Sequence, residues 1–171
     1  MDRFDRTGTA RQYERVHQED MCQALAVMPH VKYEMQGGPG IADMVRLLRD
    51  ASSDAETDIR QLLGMVIFNW VIAATDAHAR NFALLHALGP ELRLAPFYDL
   101  ISYLPYDTSG ALHQVKMAMR IGGEYRVRHI TRARWRKLAE QAHLDATPVN
   151  ALAARIVRRV QELTKAGMQA D

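Results

Sequence analysis

Residues 74–85 read ATDAHARNFALL. An aspartate, a histidine, an arginine and an asparagine stand here between two apolar runs, where polar side chains are costly unless they are partnered or put to use. The run before them, Leu62 to Ala74, is about 13 residues long and contains Asn69, short of the roughly 20 that a bilayer span requires, so it predicts a buried helix. From about Asp54 the pattern is apolar on nearly all sides, through Ile59, Leu62, Leu63, Val66, Ile67, Trp70, Val71 and Ile72, which places this helix at the centre of the core and ends it at Thr75. After the polar cluster, FALLHALGPELRLAP has two short apolar segments around Gly89 and Pro90 and predicts a small β-hairpin. Such a hairpin brings residues 76–81 close to Asp99.

Working outward, the opening MDRFDR alternates aromatic and charged residues like the end of a strand or a hinge. A first helix is expected from about His17, with Glu19 and Asp20 at its positive end, stopping before Pro29. KYEMQGGPG reads as a loop, and Ile41, Met44, Val45 and Leu48 resume helical spacing. Residues 111–128 are ambiguous. Thr131 and Thr147 read as N-caps, the second followed by Pro148 at the first helical position, and the last helix turns Leu152, Ile156, Val160 and Leu163 to one face and ends at Gly167.

At 171 residues the chain suits one domain with one core. Its 22 basic and 20 acidic residues, net +2, exclude an obligatory polyanion binder by bulk charge. A single cysteine, Cys22, excludes an internal disulfide, and no stretch at the start of the sequence combines a basic head with an apolar segment and a small-residue cleavage site, so a reducing cytoplasm is expected, with no membrane contact.

Asp76 and Asn81 have the D-x-x-x-x-N spacing that a protein-kinase catalytic loop uses between its base and its metal-binding amide. A second carboxylate must then reach the metal from the other side, and Asp99 in FYDLIS, framed by apolar residues, is the candidate. The spacing alone also fits a helix end at Asp76, a loop-bonded His78 and a turn-capping Asn81. A transition-metal site around Asp76, His78 and His86 competes, although no H-E-x-x-H or paired cysteine completes it. YRVRHITRARWRK, residues 125–137, suits either phosphate contacts or a solvated helix face.

RFDR, HQEDMCQAL, KYE, GGPGIA, FNWVIAATDAHARNF, RLAPFYDLIS and VKMAM occur in the order found in the HipA family, the toxin kinases of bacterial type II toxin–antitoxin pairs, which this chain resembles from Arg3 to about Met119 and more loosely beyond. The resemblance implies a mainly α fold, the large C-terminal lobe of a protein-kinase-like domain with a small β-hairpin beside the catalytic loop, spanning 1–171. It implies a Ser/Thr protein kinase using ATP and Mg²⁺, with Asp76 as the catalytic base and Asn81 and Asp99 as metal ligands. His78 would then lie beside the nucleotide phosphates, Tyr98 would flank the metal, and Asp2, Arg3 and Phe4 would form the hinge strand that holds the adenine. Implied partners are a HipB-like antitoxin, operator DNA reached only through the antitoxin complex with Arg126 and Arg128 nearest the phosphates, and a protein substrate such as glutamyl-tRNA synthetase.

HipA-like kinases carry a nucleotide-binding N-terminal lobe before the hinge, and no glycine-rich loop followed by a strand lysine occurs in this sequence. The expectation is therefore a lobe that needs a complementing polypeptide for turnover and is inactive alone, whether it is a split subunit, a truncated product or a fragment. The alternative is a non-catalytic module that binds the antitoxin, the target or operator DNA.

Overall fold

The computed structural model of the chain describes residues 4–9, 12–86, 91–107 and 110–167. Phe4 sits in a turn that leads into an antiparallel pair, β1 (Arg6–Thr9) and β2 (Gln12–Arg15), with Arg6 opposite Arg15. Asp2 and Arg3 lie outside the described residues. The helix expected from His17 to Pro29 is corrected: His17–Asp20 is a strand, β3, and only Met21–Ala24 is helical, α1. The reason is local. The Asp20 carboxylate accepts from the Gln23 N–H at 2.9 Å while the Gln23 side chain accepts from the Asp20 N–H at 2.8 Å, a capping box that starts the helix at Met21. Ala26, at φ +54, then turns the chain away.

The glycines at 37–40 do what a tight entry into a helix requires. A Cβ at Gly38 would stand 2.3 Å from the Val31 carbonyl oxygen, so only glycine fits there. α2 (Ile41–Ala51) follows as expected, burying Ile41, Met44, Val45 and Leu48 on one face. α3 (Ala55–Val71) is capped by Asp54, whose carboxylate accepts from the Thr57 N–H, and buries Leu62, Leu63, Met65, Val66 and Ile67 at the centre of the core. It stops at Val71, before the expected Thr75. Ala73 adopts φ +51, and the freed Ile72 carbonyl accepts from the Ser102 hydroxyl at 2.6 Å.

The hairpin expected after the polar cluster is present as β4 (Ala83–His86) and β5 (Leu92–Leu94), with Leu84 opposite Leu94; residues 87–90 lie outside the described residues. β3 adds to the other side of β4, giving the order β3-β4-β5. This small sheet is tied to α3 by Asp58, which is 1% exposed and accepts from Arg93, from the Leu94 N–H and from the Ser52 hydroxyl.

The ambiguous stretch 111–128 contains a second hairpin, β6 (Lys116–Ile121) and β7 (Glu124–Arg126), turning at Gly122 and Gly123 with positive φ. α4 (Arg132–Gln141) begins after Thr131 as expected, although the threonine side chain makes no capping bond. α5 (Ala146–Gly167) starts before Thr147, a correction with a clear cause: Asp145 accepts from the Thr147 N–H at 2.8 Å, and Pro148 lies inside the first turn, where its missing N–H costs nothing. On the expected apolar face of α5, Leu152 and Ile156 pack against the core while Leu163 is exposed. Trp135 is buried against Trp70, ring centroids 5.6 Å apart, so it serves packing and not the surface. The architecture is mainly helical, with three small antiparallel sheets among the described residues.

Candidate active site

Between the end of α3 and the start of β4 the chain has almost no regular structure beyond one 3-10 turn, Ala79–Asn81. It is held by what it buries: Ala77, Ala79 and Phe82 are inside, Asp76 and Arg80 are exposed, and Asn81 is half-buried. The Ala79 N–H donates to the Lys32 carbonyl, and the Met21 N–H to the Phe82 carbonyl. The loop is thus pinned from both flanks while Asp76 and Arg80 reach the surface.

Asp99 follows β5 and the bend Ala95–Tyr98. Its backbone takes φ +56, a left-handed conformation that Asp tolerates better than most residues. This turn brings its carboxylate against Asn81: the Asn81 amide donates to Asp99 Oδ2 at 2.5 Å, and the amide oxygen accepts from the His78 N–H at 3.2 Å. The Tyr98 hydroxyl donates to the Arg80 carbonyl at 2.8 Å, joining the neighbours of Asp99 and Asn81. Phe4 stacks on Tyr98 with centroids 6.4 Å apart, and Arg80 pairs with Asp20 at 3.2 Å. Phe4, Tyr98, Asn81 and Asp99 therefore form one connected surface.

Asp76 stands beside it with its side chain 58% exposed. The Tyr33 hydroxyl donates to Asp76 Oδ1 at 2.5 Å, across 43 residues of sequence. The Tyr33 ring meets the His78 ring edge to face at 5.1 Å, and His78 Nε2 is 3.9 Å from Asp76 Oδ1, too far for a hydrogen bond. His78 itself is 6% exposed, and its Nδ1 has no partner among the described residues.

Three groups here depart from their ordinary acidity. Burial, and after it the Lys32 cation, hold the His78 imidazole below the usual histidine range, so the ring stays neutral. The hydrogen bond to Asp76 raises the Tyr33 phenol and keeps it a donor. Burial, reinforced by Asp20 and Asp99, pushes the Tyr98 phenol up to about 12.

The donor set suits a hard cation. The Asp99 carboxylate lies against the Asn81 amide nitrogen while the amide oxygen takes the His78 N–H, and Mg²⁺ is bound by one or two such oxygen-bearing side chains completed by phosphate oxygens and water. No group of three or more His, Cys, Asp or Glu residues able to hold a metal occurs among the described residues. His86, considered above as a metal ligand, instead pairs with Glu19 at 2.6 Å inside the β3-β4 sheet.

Arg126 and Arg128 are exposed on β7 and the short turn after it, and neither bonds to the loop. Tyr33 and Lys32 carry no role in the sequence reading, although KYE is among the stretches that resemble HipA. Only that recurrence could have flagged them, because no local periodicity reports a contact 43 residues away. Among the described residues no helix is long and apolar enough to cross a membrane.

The family model for the HipA-like C-terminal domain matches residues 1–165. A Sinorhizobium fredii protein named "Putative kinase Y4mE" is 40% identical over 83% of this chain and 33% of its own length. A second from the same organism, "Putative kinase Y4dM", is 33% identical over 61% of the chain and 23% of its own length. The chain thus spans about a third or less of the curated relatives it matches. Among solved structures, HipA from the Shewanella oneidensis complex of HipA, HipB and operator DNA superposes with a TM-score of 0.82 at 22% identity, covering 94% of this chain and 39% of that one. At that identity the likeness concerns the fold.

Proposed function

The chain belongs to the family of HipA-like C-terminal domains, and from that premise we propose that it is the large lobe of a Ser/Thr protein kinase of a toxin–antitoxin system. The observation that carries the proposal is the Asn81–Asp99 contact beside the exposed Asp76, on a surface shared with Phe4 and Tyr98. Asp76 accepts the proton of a protein serine or threonine hydroxyl as that oxygen attacks the γ-phosphorus of ATP, and the bond to the β,γ-bridging oxygen breaks. Asn81 and Asp99 would hold Mg²⁺, which when bound neutralises the phosphate oxygens. By the resemblance, Asp2, Arg3 and Phe4 would hold the adenine, Tyr98 would flank the metal, and the neutral His78 would lie on the phosphate side.

Turnover depends on the phosphate-cradling loop and lysine that the resemblance assigns to a nucleotide lobe, since these fix the γ-phosphate for attack. The 171 residues alone then bind ATP weakly and transfer little. The regulator would be a HipB-like antitoxin, and the target a protein of the kind glutamyl-tRNA synthetase represents. Exposed Arg126 and Arg128 favour a second reading, a DNA-contacting module that adds phosphate contacts beside an antitoxin without reading bases.

A phosphotransfer assay on the domain joined to its nucleotide lobe separates the two. Asp76→Asn is expected to lower kcat by roughly 10²–10⁴-fold, the usual contribution of a positioned base, with an unchanged melting temperature. Retention of most of the rate would remove Asp76 as the base, and no transfer by the unsubstituted protein would leave the binding module.

A further inference from the structure

We infer that Tyr33 is a positioning residue for Asp76, holding one carboxylate oxygen so that the other faces the acceptor hydroxyl. The inference rests on the reading of Asp76 as the base. A carboxylate that is 58% exposed at the end of a two-torsion side chain has no reason to keep one orientation unless something grips it. Tyr33 grips it: its hydroxyl lies 2.5 Å from Oδ1, whereas Oδ2 has no partner among the described residues. A general base works only when the accepting oxygen is aimed at the proton it takes, so fixing Oδ1 aims Oδ2.

Tyr33 could in principle be a plug in the acceptor's place, displaced when substrate arrives. Its surroundings argue for a fixed part. The ring rests against the buried His78, the Lys32 ammonium lies over the ring 5.1 Å from its centroid, and the Lys32 carbonyl accepts from the Ala79 N–H. On the other side, the Tyr33 carbonyl accepts from the Gln36 and Gly38 N–H groups. The next residue, Glu34, takes the Arg120 N–H and guanidinium, tying the segment to β6. A phenol anchored on both flanks is a brace, and the buried, neutral His78 gains a use as the floor on which it stands.

Two measurements test this. In the 171-residue chain with ring-¹³C-labelled tyrosine, the Tyr33 resonance, assigned by its loss in Tyr33→Phe, is titrated by NMR. Because the bond to Asp76 raises the Tyr33 phenol, Asp76→Asn is expected to move its midpoint to lower pH; an unmoved midpoint overturns the contact. In the domain joined to its nucleotide lobe, Tyr33→Phe is expected to lower kcat by about 10- to 100-fold, the scale of a small misplacement of a reacting group, with KM for ATP unchanged. An unchanged kcat, or a rise as expected for removal of a plug, overturns the positioning role. The two readings fail separately: if Asp76→Asn keeps its turnover the base is wrong, whereas an inactive Asp76→Asn beside a fully active Tyr33→Phe sinks only the brace.

Discussion

Asp58 and Asp76 stand at opposite ends of the same helix, one within its first turns and one just beyond its last, and they are treated in opposite ways. Asp58, in the first turns of α3, is 1% exposed, and both its oxygens are taken up by Arg93, Ser52 and the Leu94 N–H. Asp76, just beyond the other end, is mostly exposed, with one oxygen gripped and the other free among the described residues. A carboxylate whose every lone pair is satisfied inside the protein stabilises; it has nothing left to offer a substrate. One held at a single oxygen and open at the other is oriented and unspent. The degree of satisfaction, more than burial or sequence pattern, separates the structural acid from the candidate catalytic one.

That contrast breaks if the two respond alike to substitution. Asp58→Ala leaves Arg93 and the Leu94 N–H without their partner and is expected to cost about 3 kcal/mol, the scale for disrupting a buried pair from one side. Urea unfolding of the domain measures it, and a loss no larger than that of Asp76→Asn would erase the distinction. A smaller effect is expected at Asp99, the acid proposed to face a metal. Asp99→Asn should weaken nucleotide binding in Mg²⁺ by about tenfold, or ~1.4 kcal/mol, with little change in metal-free binding. Calorimetric titration of the domain joined to its nucleotide lobe, with and without Mg²⁺, sharpens the assignment; equal weakening in both conditions would count against a metal role.

The smallest effect concerns His78. Its folded-state pKa is lowered, so between that value and the ordinary histidine value of about 6.5 the unfolded chain binds a proton that the folded chain does not. Its contribution to stability is therefore intact above about pH 6.5 and is lost as pH falls from there through the folded value. Urea midpoints at pH 7.5 and 5.5 should fall less for His78→Phe than for the unsubstituted chain. Parallel declines would mean that His78 contributes nothing to the acid sensitivity.

How far these positions were legible depends on the range of the interaction that fixes them. The apolar faces of α2 and α3 repeat every few residues and could be read directly, as could the β4-β5 hairpin from its two apolar segments. Asp20 and Gln23 carry the start of α1 in a local pattern, yet β3 just before it is polar and edge-lying, and its pairing partner, β4, is 67 residues away at Glu19 and His86. Local composition favoured a helix there; a distant strand decided otherwise. At the site, the Asp76–Asn81 spacing is visible because both residues share one loop, and Asp99 follows from the hairpin that returns it. Tyr33 was invisible as a contact, since nothing in KYEMQGGPG announces which loop it will touch. The start of α5 was misjudged by two residues because Thr147–Pro148 looked like a cap, while the adjacent Asp145 makes the stronger one.

Asp99 stands at φ +56, a backbone state in which glycine would rest more easily. A chain drifting without duty would therefore gain stability by exchanging this acid for glycine and losing its grip on Asn81. The turn favours that exchange, and only selection on the carboxylate opposes it. Across descendants of this domain, the residue at this one bend would consequently separate lineages that keep the acid, as the proposed metal role requires, from those that keep the fold alone.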